Sequence, residues 1–164
     1  MGAGKFLAFL GGLLTLLGTY VFAIYGVTGS VGSGIGFAMN IPDLFTDAET
    51  IASGLSTEVG LFYIYLGIFI IFLASGVLQM LSVESRAVSF IFSLFPLGVG
   101  LMFIFLVYTD FLGIKAYFFT TVFAGEQYGD FFPILVDLGD LALGSYLLIA
   151  GGALGVLSVF SERD

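Results

Sequence analysis

The chain has 164 residues, 59% of them hydrophobic, with 4 basic against 12 acidic side chains, a net charge of −8, and no Cys, His or Trp. Disulfides, thiolate catalysis and Cys- or His-ligated metals are thereby excluded, as is the commonest acid–base group near neutral pH. Such acidity repels nucleic acid, so no nucleic-acid partner is expected.

Four runs, residues 6–27, 61–81, 87–107 and 141–160, contain no Asp, Glu, Lys, Arg or His. At about 1.5 Å per helical residue each can cross a hydrocarbon core of roughly 30 Å. Behind Lys5 the first run could imitate a signal peptide. It exceeds the usual apolar length for one and lacks a small-x-small cleavage end, so it is expected to stay as the first membrane helix. Myristoylation at Gly2 fails because Phe6 stands where Ser or Thr is needed. Within this run Gly11 and Gly18 lie seven apart, a spacing that allows close helix packing.

A Gly/Ser-rich stretch follows over residues 26–36. It lacks the GxxxxGK[ST] pattern of a phosphate loop and predicts close backbone packing or a wide turn. Thr46 with Glu49 has the form of a capping box. Leu44, Phe45, Ala48, Ile51, Ala52 and Leu55 then recur at helical spacing, which predicts a short amphipathic helix acting as a structural lid.

The second run repeats the seven-residue spacing with Gly67 and Ala74, and the third with Ser93 and Gly100. Only Ser82-Val83-Glu84-Ser85-Arg86 separates these two runs, which predicts an antiparallel helical hairpin. Pro96 and Gly98 can bend the third helix. Beyond it lies a long segment too aromatic for a solvated loop. Phe118, Phe119, Phe123, Phe131 and Phe132 are candidates for partner or interfacial contact. Asp137 and Asp140, three apart at the mouth of the last run, are expected to share a helix face near its N-terminus. Dipole stabilisation accounts for them there, with cation contact as the alternative; the EF-hand pattern is missing. The last run carries Gly144, Gly151 and Gly155, again small residues for packing, with a GxxxG pair.

Four spans put both termini and the 82–86 turn on one side, with Lys5, Arg86 and Arg163. The positive-inside rule makes that side cytoplasmic and the location the cell membrane. Asp43, Asp47, Glu49, Glu58, Asp110, Glu126, Asp130, Asp137 and Asp140 then face outside with Lys115, which carries the whole net charge of −8 there. The polar groups left within the runs, including Thr15, Ser75, Gln79, Ser89, Ser93, Ser145 and Ser158, can join helices at roughly 0.6 kcal/mol each. They form no nucleophile–base pair and no ion relay, so no catalytic, cofactor or metal residue is assigned and an enzyme is not expected.

This layout, with two outer loops and the five-residue inner turn 82–86, resembles that of the claudin and MARVEL class of four-span proteins. The chain departs from the claudin first-loop signature, having neither Trp nor Cys, and no site is carried over. The resemblance implies an adhesion, assembly or scaffold role. The expectation is one domain over residues 1–164, an all-α integral membrane protein. Its fold is an antiparallel four-helix transmembrane bundle with two long outer loops containing short amphipathic helical segments. Its expected function is that of a structural, assembly or accessory subunit with an acidic, aromatic-rich outer face, in contact with lipid and with other integral subunits or copies of itself. The alternative is an oligomeric channel or passive transporter with an acidic vestibule.

Overall fold

A computed structural model describes residues 2–27, 30–109 and 122–163. Helix α1, Ala3–Leu16, continues through a π-helical turn, Leu17–Val21, and Phe22 closes that turn with an N–H bond to Leu17 O at 2.8 Å before becoming extended. The helix therefore stops at Val21 instead of running to Val27. Other backbone supplies the partners that further helix would have: Ala23 N–H donates to Ile134 O at 2.8 Å and Ile24 N–H to Gly32 O at 2.7 Å. Their own carbonyls accept from Gly144 N–H and Ala142 N–H, each at 2.9 Å.

The all-α expectation needs a correction at this point. Strands β1 (Tyr25–Val27), β2 (Ser30–Gly32) and β3 (Ala124–Gly125) form a small antiparallel sheet in that order. Tyr25 pairs with Gly32, and Val31 pairs in turn with Gly125, so the two outer segments share one sheet. The Gly/Ser run supplies the close approach this needs: a Cβ at Gly32 would enter the Tyr25 ring.

Helix α2, Gly34–Thr46, starts at Ser33, whose Oγ accepts from Gly36 N–H at 3.0 Å. Helix α3, Ala48–Gly54, follows directly. Thr46 is not its cap. The Thr46 hydroxyl donates back to Pro42 O at 2.9 Å, and Asp47 holds the junction without a side-chain cap bond. The apolar face is still met, since Leu44, Ala48, Ala52 and Leu55 are buried, while Phe45 stays exposed beside Tyr63.

Helices α4 (Val59–Leu81) and α5 (Arg86–Tyr108) have 23 residues each and are joined by the short turn, with Ser85 capping α5. Helix α6, Leu143–Ser158, is shorter at 16 residues. Three helices, residues 3–21, α4 and α5, are long and apolar enough to cross a membrane, and α6 is apolar but spans only about 24 Å. The chain is a multi-span helical membrane protein. Helix α1 packs between α4 and α6, and α5 packs against the same two neighbours, so these four helices enclose a common interior.

Candidate functional site

That interior has two chemically distinct halves. Along the contact of α1 and its π-helical turn with α6 it is lined by small and polar residues. Gly11 and Gly18 on α1 meet Gly151 and Gly144 on α6: an added Cβ would lie 2.6 Å from Gly151 O at Gly11, and 2.7 Å from Gly144 O at Gly18. Gly100 on α5 packs against Ile149 and Gly155 against Ser93 and Gln79. Gly67 and Ala74 are not part of this seam. Gly67 has open space where its side chain would be, and Ala74 is exposed. The inward face of α4 follows its large residues, Phe62, Leu66, Phe69 and Phe72, and continues to Ser75, Gly76 and Gln79. A spacing rule for small residues alone selects the wrong side.

Gln79 sits wholly buried among the four helices. Its Nε2 donates to Gly151 O at 2.9 Å and its Oε1 accepts from Thr15 Oγ1 at 3.2 Å, so one amide links α4 to both α6 and α1. Ser89 and Ser158 share a hydrogen bond at 3.2 Å between α5 and α6, and Ser93 returns its proton to Ser89 O. Ser75, Ser145 and Ser158 likewise donate to carbonyls of their own helices. Of these serine hydroxyls the Ser89–Ser158 pair ties α5 to α6, while Ser75, Ser93, Ser145 and Ser158 have their protons satisfied by nearby carbonyls of their own segment.

The half around α2, α4 and α5 is aromatic. Phe123, wholly buried, stacks on Phe37 at 5.2 Å and meets the rings of Phe69 and Phe103 edge-on, each at 5.2 Å, with Phe72 at 6.3 Å. It thus joins the second outer segment to α2, α4 and α5 as a core plug, and its surface is unavailable to a partner. Backbone holds it in place: Ser33 N–H donates to Phe123 O at 3.0 Å, and Asn40 Nδ2 donates to Val122 O at 2.8 Å and Ala124 O at 2.9 Å. Sequence reasoning passed over Asn40. Its one signal was an amide in the middle of an otherwise apolar helix. Two clefts flank it, one of about 250 Å³ walled by Asp43, Asp47 and Val122, the other of about 210 Å³ between Met39, Glu126 and Tyr128.

Of the other aromatic candidates, Phe131 is 65% exposed and Phe132 partly buried, on a turn whose backbone accepts from Gln127 Nε2 at Phe131 O and Pro133 O. Phe118 and Phe119 lie outside the described residues. Asp137 and Asp140 are both exposed but share no helix face, because α6 begins only at Leu143. They belong to a turn closed by Leu138 N–H to Leu141 O at 2.9 Å, with Gly139 at φ +94°, a conformation that keeps the helix from starting earlier. Among the described residues no group of three acidic side chains is placed to hold a metal ion.

At the opposite end, Lys5 Nζ pairs with Glu84 at 2.8 Å, Gly4 N–H donates to Glu162 O, and Arg163 reaches the carbonyls that end α4. The N-terminal helix, the 82–86 turn and residues 161–163 are thereby brought together. Burial, followed by the like charge of Arg86, lowers the Arg163 pKa, partly offset by Glu84. In the outer sheet, burial pushes the Tyr25 phenol well above its ordinary range.

The chain matches no protein-family model, no curated protein and no solved structure.

Proposed function

We propose that this protein is a non-catalytic structural, assembly or accessory subunit of a membrane complex. In this reading it crosses the bilayer four times, with both termini and the 82–86 turn in the cytoplasm and an acidic, aromatic-bearing face outside. The observation that carries it is the filling of the interior between the four helices. Thr15, Gln79, Ser93 and Ser158 occupy one half and Leu66, Phe72, Phe103 and Phe123 the other, all essentially without solvent exposure. A water path through a single copy needs open space between its helices, and this interior is committed to side-chain packing and local hydrogen bonds.

The fourth crossing is supported by the packing of α6 along both α1 and α5 and by its apolar sequence. The bundle end holding Lys5, Arg86 and Arg163 supports the cytoplasmic assignment through the positive-inside rule. Exposed Asp43, Asp47, Glu49, Glu126, Asp130, Asp137 and Asp140 support an acidic outer face, and Phe131 and Tyr128 give it aromatic contact area. Reconstitution of the purified chain into liposomes under a Na⁺, K⁺, Ca²⁺ or Cl⁻ gradient should yield no selective flux. Cross-linking in native membranes should capture it in a larger assembly. Reproducible ion-selective current from the purified chain would replace this reading with the oligomeric channel.

A further inference from the structure

Arg163 carries the one buried side-chain nitrogen without a hydrogen-bond partner among the described residues, its Nε. The rest of the guanidinium is engaged with neutral acceptors. Nη1 donates to Val83 O at 2.7 Å and Ser82 O at 3.4 Å, and Nη2 donates to Ser158 Oγ at 2.9 Å. Among the described residues Arg86 bonds only Ser161 O, at 3.4 Å. Glu84, the acid that acts on Arg163 electrostatically, is paired with Lys5 instead, in the only ion pair among the described residues. Two mutually repelling guanidinium groups thus stand at one end of the bundle, and among the described residues no carboxylate is bonded to either.

The surroundings fit an anion with an apolar tail. Helix α5 begins at Arg86, so the positive end of a 23-residue helix adds to the two charges. Directly before Ser161, whose carbonyl Arg86 holds, Phe160 is 80% exposed, and Leu157 one turn earlier is also exposed. Charge and hydrocarbon surface therefore meet where spanning helices end, at the level of lipid headgroups. We infer that Arg86 and Arg163 bind the phosphate of an anionic phospholipid, with Leu157 and Phe160 against its acyl chains. The phosphate oxygens would accept from guanidinium N–H groups of the two arginines and relieve the repulsion between them.

Native mass spectrometry of the purified full chain in a nonionic detergent tests this, titrating phosphatidylglycerol against phosphatidylcholine of matched chains. The wild type should prefer phosphatidylglycerol. R86Q should cut that preference roughly five-fold, R163K should retain most of it, and R86Q/R163Q should abolish it. Inorganic phosphate, lacking a tail, should fail to displace the lipid. Because Arg163 also clasps the end of α4, thermal unfolding in phosphatidylcholine accompanies every variant; if the double variant does not fold, R86Q alone decides. Equal binding of the two lipids by the wild type, an undiminished preference in folded R86Q, or displacement by inorganic phosphate would each overturn the assignment.

Discussion

The two halves of the interior are filled by opposite means. Along the α1–α6 seam, glycine removes side chains so that the backbones touch, and the remaining gap is closed by Gln79 and a few hydroxyls. In the outer half, large rings fill the space, and the central one, Phe123, is delivered from a loop. In lipid, helix association relies on contact and hydrogen bonds, because apolar side chains are equally at home in the bilayer. Around Phe123, the close ring contacts of Phe37, Phe69 and Phe103 add an attraction of their own. Hence α1 and α6 assemble through small residues, whereas residues 122–125 attach to α2, α4 and α5 through a large one.

The sharpest way to break that comparison is Phe123→Ala. Removing the central ring should cost about 4 kcal/mol, in the range for a buried Phe truncation, and should act on the outer half alone. Hydrogen exchange should accelerate in α2 and residues 122–127 while the α1 and α6 seam keeps its protection. Equal loss of protection in both halves would mean that the plug also organises the seam.

Gly151→Leu attacks the other half. A side chain there meets Gly11 O at 2.6 Å, so two helix backbones must separate, and about 3 kcal/mol of destabilisation is expected in unfolding by SDS in mixed micelles. Gly67→Leu is the matched control. Nothing lies within 4 Å of its Cβ position, and its effect should stay within about 0.5 kcal/mol. A large effect at Gly67 would reverse the face of α4 that points inward.

This contrast also marks how far the sequence was legible. Uncharged runs located α4 and α5 closely, because the bilayer permits few ways to satisfy the backbone of such a run. Seven-residue spacing found Gly11, Gly18, Gly144 and Gly151 because both faces of that contact are glycine. It failed for Gly67 and Ala74, where α4 is oriented by its phenylalanines. The end of α1 at Val21 was not readable, since Phe22, Ala23 and Ile24 are as apolar as the helix before them. They leave it to pair with Gly32, Ile134 and Ala142, partners distant in sequence. Phe123 gave no sign of being core rather than surface: in a segment with so many aromatic residues, a ring that packs inside and one that meets a partner look the same. Asn40, whose two bonds place Phe123, was hidden with it.

Asn40→Leu and Gln79→Met compare the polar fastenings of the two halves. Each side chain joins separate elements, but Asn40 donates twice to a loop backbone that would be left with two unpaired carbonyls. A loss of roughly 2 kcal/mol is expected for Asn40→Leu. Gln79→Met keeps the volume and should lose about 1 kcal/mol, since hydrogen bonds between membrane helices are individually weak. Thermal unfolding in one detergent ranks them; a larger loss for Gln79 would make the buried amide, not the outer latch, the dominant polar tie.

The smallest effect is expected from Asp137→Asn with Asp140→Asn. Both carboxylates are exposed, and their turn is closed by backbone bonds from Leu138 to Leu141 and from Leu143 to Val136 that the substitutions leave untouched. Stability should move by no more than about 0.5 kcal/mol. The same pair tests whether the outer face does more than carry charge. A cation bound by the folded state alone raises stability with its concentration, and two side chains on a turn offer few of the 6–8 oxygens that Ca²⁺ takes. Unfolding temperature should therefore be independent of Ca²⁺ in the wild type and in the double variant at constant ionic strength. A rise with Ca²⁺ in the wild type that the Asn pair abolishes would turn this turn into a cation site, and would give the outer half a binding function that the glycine-lined half has no side chains to match.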